Sequence, residues 1–165
     1  MPDIKSPEEY LRLAYEVASR SKDPSTQTGA IIVGVDGRDA RAYNSIPKPL
    51  STTEERLHNR ELKSKYMEHA ERRAIFAAAR RGVATEGATM YSPWAPCTPC
   101  ARAIIDCGIS ELVVHQFLMS QTPERWMDDV QEGIKMLIEG EVKFTSIRGK
   151  LDAEPILFNG RRVYP

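Results

Sequence analysis

The hydrophobic and polar positions of the first forty residues predict a helix followed by a pair of strands. Ser6-Pro7-Glu8-Glu9 has the pattern of a helix start, with an N-cap serine, a proline at the first position and acids in the first turn. Apolar residues then recur at helical spacing as far as Ala18. The β-branched run AIIVGV, which begins at Ala30, is typical of a buried strand, and Asp36-Gly37 predicts a hairpin turn into the returning strand ARAY.

The rest of the chain continues the alternation of strands and helices. Helical periodicity covers residues 70–81 and is followed by the strand ATMYSP, a helix over CTPCARAIIDCG and the strand ELVVHQF. Thr122 and Pro123 predict the N-cap and first position of a helix that ends at Gly140, and EVKFTSI predicts a fifth strand. The pattern therefore predicts an α/β fold in which helices cover both faces of a mixed five-stranded sheet.

One segment interrupts this alternation. Residues 45–68 are polar and irregular, with two prolines, a Ser-Thr-Thr run and a charged stretch. A connection of this length inside a compact domain is usually functional or disordered. We expect it to form a long active-site loop.

Composition places the chain among ordinary globular proteins. Its 165 residues favour a single domain, 1–165, of which 41% are hydrophobic and 28% charged. The formal net charge of zero argues against a protein that mainly grips a polynucleotide backbone, but it allows a small phosphorylated ligand. The sequence has no apolar run of about 20 residues and no apolar signal-peptide core in MPDIKSPEEY, so we expect a cytoplasmic protein without a membrane partner.

The cysteine spacing indicates metal or redox chemistry. Cys97 and Cys100 are separated by two residues at a predicted helix start, where backbone N–H groups stabilise thiolates. This spacing suits either a metal site or a redox pair. His69, also at a helix start, would complete three zinc ligands and leave a fourth position for water, which is the arrangement of catalytic zinc sites. Glu71, two residues further on, could then act on that water as a general acid and base.

The two motifs together are far more specific than either alone. A His-x-Glu followed by Pro-Cys-x-x-Cys marks the zinc deaminases of nucleobases, and Pro96 completes that pattern here. Zinc would lower the pKa of its bound water towards about 7. Glu71 would take a proton from that water and give it to ring N3 of a cytosine, and it would then protonate the leaving amine. The sequence thus predicts hydrolytic deamination with Glu71 as the catalytic residue.

Four stretches that include or flank these motifs resemble the deoxycytidylate (dCMP) deaminase family, within the cytidine deaminase-like superfamily. They are RSKDPSTQTGAIIV, AYNSIP, LKSKYMEHAE and PCTPCARAIIDCGI. The resemblance implies a three-layer α/β/α sandwich with one catalytic Zn²⁺ ion per subunit, and conversion of dCMP to dUMP in pyrimidine deoxynucleotide metabolism. It also implies a homo-oligomer, either a hexamer or a dimer.

The same resemblance suggests how the nucleotide is held. It implies that Asn44 hydrogen-bonds the sugar hydroxyl, that the backbone N–H of Ala70 meets the ring carbonyl, and that Trp94 lines the base pocket. For Asn44, turn formation is an alternative role of equal weight. For Trp94, the alternative is core packing, which is the commoner role of a tryptophan. Thr26 belongs to a set of candidates for the 5′-phosphate. The other members of that set are Lys22, Ser25, Lys48, Lys65, Arg72 and Arg73.

Arg73 is the phosphate candidate that helix geometry favours. It lies four residues after His69 and so on the same helical face, at the position where the family commonly has asparagine. We predict that Arg73 contacts the substrate phosphate or a neighbouring carboxylate. Arg72 is rotated by about 100° from it and is predicted to be a surface or subunit-contact residue.

Several alternatives stay open at this stage. Within enzymes, the substrate could be a 5-modified dCMP, dCTP, cytidine or deoxycytidine. A tRNA or polynucleotide deaminase is less favoured, because Ala95 stands where tRNA deaminases typically have glutamate. Ser45 replaces a family glycine associated with regulation by dCTP and dTTP, which leaves that regulation open. A zinc-stabilised binding module without turnover is the alternative from another class.

Overall fold

The structure, a computed structural model, describes residues 5–165. Residues 1–4, which belong to the stretch expected to lack a signal-peptide core, lie outside the described residues. The helices and strands follow in chain order: α1 (Pro7–Ala18), β1 (Gly29–Val33), β2 (Asp39–Tyr43), α2 (Glu54–His58), α3 (Arg60–Tyr66), α4 (Ala70–Arg81), β3 (Thr89–Tyr91), α5 (Thr98–Asp106), β4 (Glu111–His115), α6 (Gln116–Met119), α7 (Glu124–Glu139), β5 (Lys143–Ile147), β6 (Ile156–Phe158) and β7 (Arg161–Val163).

The five predicted strands form one mixed sheet in the order β2-β1-β3-β4-β5. β1 is antiparallel to both of its neighbours, whereas β3, β4 and β5 run parallel. The register pairs Ile31 with Tyr91 and Met90 with Leu112. The predicted mixed five-stranded sheet is confirmed.

Alternate side chains of the strands enter two separate hydrophobic clusters, one on each face of the sheet. Ile32, Met90 and Leu112 pack under α4, α5 and α7. Ile31 and Val113 point to the opposite face, which is covered by α1 and by the β6–β7 hairpin. Because successive residues of a strand face opposite sides, two apolar faces require a cover on each side. The three-layer sandwich is confirmed, with the hairpin as part of one outer layer.

Helix α4 lies close to the sheet because its inner face is made of alanine. Ala70, Ala74 and Ala78 recur every four residues and are fully buried. The helix ends at Gly82, whose φ of 66° is left-handed and suits a glycine C-cap. The prediction of a helix over residues 70–81 is confirmed, and it places Glu71 at the buried start of that helix.

The segment 45–68 is more regular than the sequence pattern indicated. It contains α2 and α3, which are capped by Thr53 and Asn59. The Thr53 hydroxyl accepts a hydrogen bond from the Arg56 backbone N–H at 3.2 Å, and the Asn59 amide oxygen accepts one from Leu62 at 3.1 Å. Polar residues that resemble loop signals therefore act as helix caps here, and the expectation of an irregular segment is wrong in this part.

The β6–β7 hairpin is an element that the sequence pattern did not indicate. Its strands have three residues each, too few to show an alternation of apolar and polar positions. It is held by backbone contacts with the loop before β1. Gln27 donates from its backbone N–H to the Leu157 carbonyl and accepts from the Leu157 N–H through its side chain, both at 2.8 Å.

Helix α7 is the longest helix, with 16 residues. Its buried residues Val130, Gly133 and Leu137 recur at helical spacing and form one stripe on the helix. Across residues 5–165, no helix combines the length and the apolar character that crossing a membrane would need.

Candidate metal centre and substrate pocket

Three side chains with metal-binding atoms converge at the starts of α4 and α5. The ligand atoms of His69, Cys97 and Cys100 all lie within 4.8 Å of one another. The Nδ1 atom of His69 is 3.3 Å from the sulfur of Cys97 and 3.6 Å from that of Cys100. The structure therefore brings together the three residues that the sequence predicted as zinc ligands.

Local backbone geometry explains this convergence. His69 and Cys97 are the N-cap residues of α4 and α5; both have extended backbone conformations and neither side chain caps its own helix. Their side chains are thus free of the usual capping role. Cys100 follows within the first turn of α5. Two helix N-termini face the cluster, and their partial positive charge favours thiolates.

The cluster fits a zinc ion. Zinc–nitrogen bonds of about 2.0–2.1 Å and zinc–sulfur bonds of about 2.3 Å at tetrahedral angles place such ligand atoms about 3.6 Å apart. The observed separations of 3.3 and 3.6 Å agree with that value. Neither cysteine forms a disulfide, and the imidazole nitrogen beside both sulfurs favours a metal site over a redox pair. Three protein ligands leave one position of the tetrahedron open.

The protonation of the three ligands is strongly coupled in the metal-free protein. A hydrogen bond with Cys97 raises the pKa of His69 to about 9. A hydrogen bond with Cys100, and to a smaller extent one with His69, lowers the pKa of Cys97 to about 4. The neighbouring Cys97 raises the pKa of Cys100, and burial adds to that effect. Cys97 and His69 thus resemble a thiolate–imidazolium pair, and a divalent metal would displace the ligand protons that remain on His69 and Cys100.

Glu71 is the acidic group of this site. Its side chain is buried, with a relative exposure of 6%, and one carboxylate oxygen lies 3.8 Å from the sulfur of Cys100. Burial raises the pKa of the Glu71 carboxyl, while the nearby His69 opposes that shift. A buried carboxyl whose pKa moves towards neutrality is suited to accept and return a proton.

His69 and Cys97 of the cluster, together with Glu71, line a cavity of about 670 Å³. The cavity is lined by the loop over residues 23–28, by α2 and α3, by residues 94–97, by the first turns of α7 and by Phe158. This volume falls in the range of small-molecule sites. One ion pair joins two parts of this lining. Lys63 on α3 pairs with the buried Asp23 at 2.6 Å and so ties α3 to the loop over residues 23–28.

Four predicted substrate contacts lie in or beside this cavity. Thr26, Asn44 and Trp94 line it, and Ala70 lies buried between the lining residues His69 and Glu71. The Asn44 side chain holds the neighbouring loop, since it accepts from the Thr28 N–H at 2.8 Å and donates to the Thr26 carbonyl at 2.8 Å.

Arg73, predicted from the sequence to contact the substrate phosphate or a neighbouring carboxylate, is not among the residues that line the cavity. Its guanidinium donates to the Tyr43 carbonyl at 2.6 Å and lies 5.5 Å from the centroid of the Tyr43 ring. Four-residue spacing put Arg73 on the side of His69, but the long side chain extends towards the end of β2. Arg72 is half-buried and pairs with Glu68, one turn earlier on the same side of the helix start.

Sequence reasoning missed one aromatic part of the pocket. Trp94 makes edge-to-face contacts with Trp126 of α7, at 6.2 Å between ring centroids, and with Phe158 of the hairpin, at 4.9 Å. The Trp94 indole N–H donates to the Thr122 hydroxyl at 2.9 Å. The prediction that Thr122 caps α7 is wrong, because the N-cap is Pro123. No motif marks these contacts, since they join residues distant in sequence.

Parts of the chain are similar in sequence to known proteins. Residues 4–116 match the family described as the cytidine and deoxycytidylate deaminase zinc-binding region. The deoxycytidylate deaminase of Mus musculus is 35% identical over 67% of this chain and 64% of that protein. The deoxycytidylate deaminase of Enterobacteria phage T2 is 50% identical over 62% of this chain and 76% of that protein. The chain thus spans slightly under two thirds of the mammalian relative.

The fold is also found among solved structures. The dCMP deaminase of cyanophage S-TIM5, in complex with dCMP and dUMP, matches with a TM-score of 0.65 and 21% identity over 88% of this chain and all of that chain. At 21% identity, this match shows the fold alone. The family match ends at residue 116, so Arg125, Trp126 and Phe158 lie beyond it.

Proposed function

The chain belongs to the cytidine and deoxycytidylate deaminase family, and from that premise we propose that it is a zinc-dependent hydrolase that converts dCMP to dUMP and ammonia. Two kinds of observation support the choice of dCMP. The mouse and phage T2 relatives are deoxycytidylate deaminases. The cavity is large enough for a nucleotide, and His69 and Cys97 of the His/Cys/Cys cluster line it.

The observation that carries the proposal is the position of Glu71. Its buried carboxylate lies 3.8 Å from Cys100, beside the cluster, without belonging to the three-ligand set. A structural zinc site would need a fourth ligand and no base. Three ligands with an adjacent buried carboxyl are the arrangement of a hydrolytic site, and we assign His69, Cys97 and Cys100 as the ligands.

Zinc, when bound, would act as a Lewis acid that lowers the pKa of water in its open position. Glu71 accepts a proton from the water that adds to C4 of the cytosine and passes it to ring N3. It then takes the proton of the new C4 hydroxyl and transfers it to the amino group, so that the C4–N bond breaks, the C4 carbonyl forms and ammonia leaves. The balance is dCMP plus water giving dUMP plus ammonia.

Other residues around the cavity position the nucleotide in this proposal. Trp94 forms part of the base pocket, and the Ala70 N–H, at the first position of α4 where no intrahelical acceptor exists, donates to the ring carbonyl. The Asn44 amide donates both of its hydrogens within the protein, but its oxygen keeps one lone pair for a sugar hydroxyl. Thr26 lines the same side.

Ammonia release from the zinc-loaded protein tests the activity. The substrate panel contains dCMP, 5-methyl-dCMP, dCTP, deoxycytidine and a single-stranded polynucleotide, and dCMP is expected to give the highest kcat/KM. Glu71→Gln should retain zinc and lose about 10²–10⁴-fold in kcat, the usual contribution of general acid–base catalysis. Full activity of Glu71→Gln would contradict the mechanism.

Two further results bear on the remaining alternatives. Full zinc occupancy without turnover of any panel member would instead support a zinc-stabilised binding module. Family membership also supports a homo-oligomer, hexamer or dimer, which light scattering would measure.

A further inference from the structure

We infer that Arg60 and Arg125, at the solvent-facing part of the cavity, bind the anionic 5′-phosphate of the substrate. This inference rests on the proposed function and adds the residues that distinguish a nucleotide from a nucleoside. Neither arginine belongs to a motif, and Arg125 lies beyond the family match.

The lining of the cavity is polarised between a buried and an exposed part. The lining residues Glu71 and Cys97 of the proposed reaction centre are buried, whereas the lining residues Arg60 and Arg125 are exposed. A nucleotide has a matching division, with a base that reacts at one end and a charged phosphate at the other. With the reacting base at Glu71, the phosphate extends towards the exposed part of the lining, to which Arg60 and Arg125 belong.

Most other charged groups of the cavity already have partners. Lys63 pairs with Asp23 at 2.6 Å, and His58 lies 3.4 Å from a carboxylate oxygen of Glu54. Within residues 5–165, neither Arg60 nor Arg125 forms an ion pair or a side-chain hydrogen bond with another residue. Their positive charge is therefore available to a ligand.

The arginines predicted from the sequence are occupied elsewhere. Arg72 pairs with Glu68, and Arg73 donates to the Tyr43 carbonyl. The structure thus transfers the role of phosphate recognition from α4 to the first residues of α3 and α7. Guanidinium groups suit this role because their planar N–H donors can bind two phosphate oxygens at once.

The first experiment compares Arg60→Gln and Arg125→Gln with the wild-type protein. Each variant should raise the KM for dCMP and the calorimetric Kd for dUMP by about 10- to 100-fold, the effect of losing a charge-assisted hydrogen bond. The kcat for dCMP should change by less than about threefold, because the contact is made equally in the ground and transition states. Arg→Lys at either position should give an intermediate KM.

Matched controls separate phosphate binding from general charge effects. Arg80 and Arg161 are exposed arginines outside the cavity, and Arg80→Gln and Arg161→Gln should leave both constants unchanged. Deoxyuridine, which lacks the phosphate, should bind the wild type and the cavity variants alike.

Each remaining outcome counts against a defined part of the inference. A dCMP KM and a dUMP Kd within threefold of wild type in both cavity variants would overturn it, as would equal losses for dUMP and deoxyuridine. If the wild type deaminates no cytosine compound, the proposed function fails, and the dUMP Kd values alone decide the role of the arginines. Absence of dUMP binding by the wild type would overturn the inference, while ammonia release from dCMP would still decide the proposed function.

Discussion

Asp129 of α7 accepts two hydrogen bonds from Thr98, one from its backbone N–H at 3.0 Å and one from its hydroxyl at 2.9 Å. Thr98 lies between Cys97 and Cys100, the two cysteines of the candidate metal centre, so α7 is tied to the turn that presents them. One turn further along α7, a Cβ atom on Gly133 would lie only 2.7 Å from the Pro96 carbonyl oxygen, which shows how closely the helix approaches the same turn. Helix α7 and the turn that contains Pro96 and Thr98 therefore form one structural unit.

Replacing Asp129 should weaken metal binding. Asp129→Ala removes both hydrogen bonds to Thr98, so the cysteine turn loses its anchor and zinc affinity should fall about 10-fold or more, as for other residues that orient metal ligands. Zinc affinity measured by competition with a chromogenic chelator checks this expectation. Asp128→Ala, at the exposed neighbouring position, is the control, and equal affinities of the two variants would argue against the anchor.

Arg73→Ala should leave substrate binding unchanged and lower stability. The variant loses the 2.6 Å hydrogen bond to the Tyr43 carbonyl and the contact with the Tyr43 ring. The free energy of unfolding should fall by about 1 kcal/mol, which urea denaturation would measure. The KM for dCMP should stay within about twofold of wild type. A large rise in that KM would restore the phosphate role predicted from the sequence.

His115 makes stability sensitive to acid. The side chain is fully buried, accepts a hydrogen bond from the Tyr15 hydroxyl at 2.8 Å through Nδ1 and donates to the Gly149 carbonyl at 2.8 Å through Nε2. Burial lowers the pKa of His115, against a smaller opposing effect of the Gly149 hydrogen bond. Burial raises the pKa of Tyr15, so its hydroxyl stays neutral and donates this hydrogen bond at neutral and acidic pH.

The sign of this dependence follows from linkage. The unfolded chain binds a proton at His115 below a pKa of about 6.5, while the folded protein resists that proton. The free energy of unfolding should therefore fall as pH drops below about 6.5 and should gain nothing further from His115 above that value. Urea denaturation of the zinc-loaded wild type and His115→Gln between pH 7.5 and 5.5 measures the effect. Parallel curves for the two proteins would contradict it, and His58→Gln, at an exposed position, should retain the wild-type slope.

Phe158 should contribute to both stability and the pocket. Its ring is 3% exposed and contacts Trp94 at 4.9 Å between centroids. Phe158→Ala should lower the free energy of unfolding by about 3–5 kcal/mol because it leaves a cavity beneath the hairpin. Phe76→Ala removes a ring that is 53% exposed on α4 and should change stability by less than about 0.5 kcal/mol. Similar denaturation midpoints for the two variants would show that the hairpin does not hold this wall in place.

Local sequence signals anticipated much of the fold. The five strands of the sheet and the helices over residues 7–18 and 70–81 were readable from periodicity, because apolar spacing reflects burial on one face. The caps at Thr53 and Asn59 were not recognised as helix starts, since serine, threonine and asparagine favour turns as well. The β6–β7 hairpin had no periodic signal, and it depends on Gln27, which is 130 residues away from Leu157.

The amino-acid sequence by itself determined which residues form the candidate centre. His69, Glu71, Cys97 and Cys100 occupy the first turns or N-caps of two helices, and those positions follow from spacing within a few residues. The charged part of the cavity depended on tertiary structure. Arg60 and Arg125 are 65 positions apart, and they line one cavity because the Lys63–Asp23 pair holds α3 and the Asp129–Thr98 contact holds α7. Such long-range packing leaves no local pattern in the chain, which is why helix geometry alone pointed to Arg73.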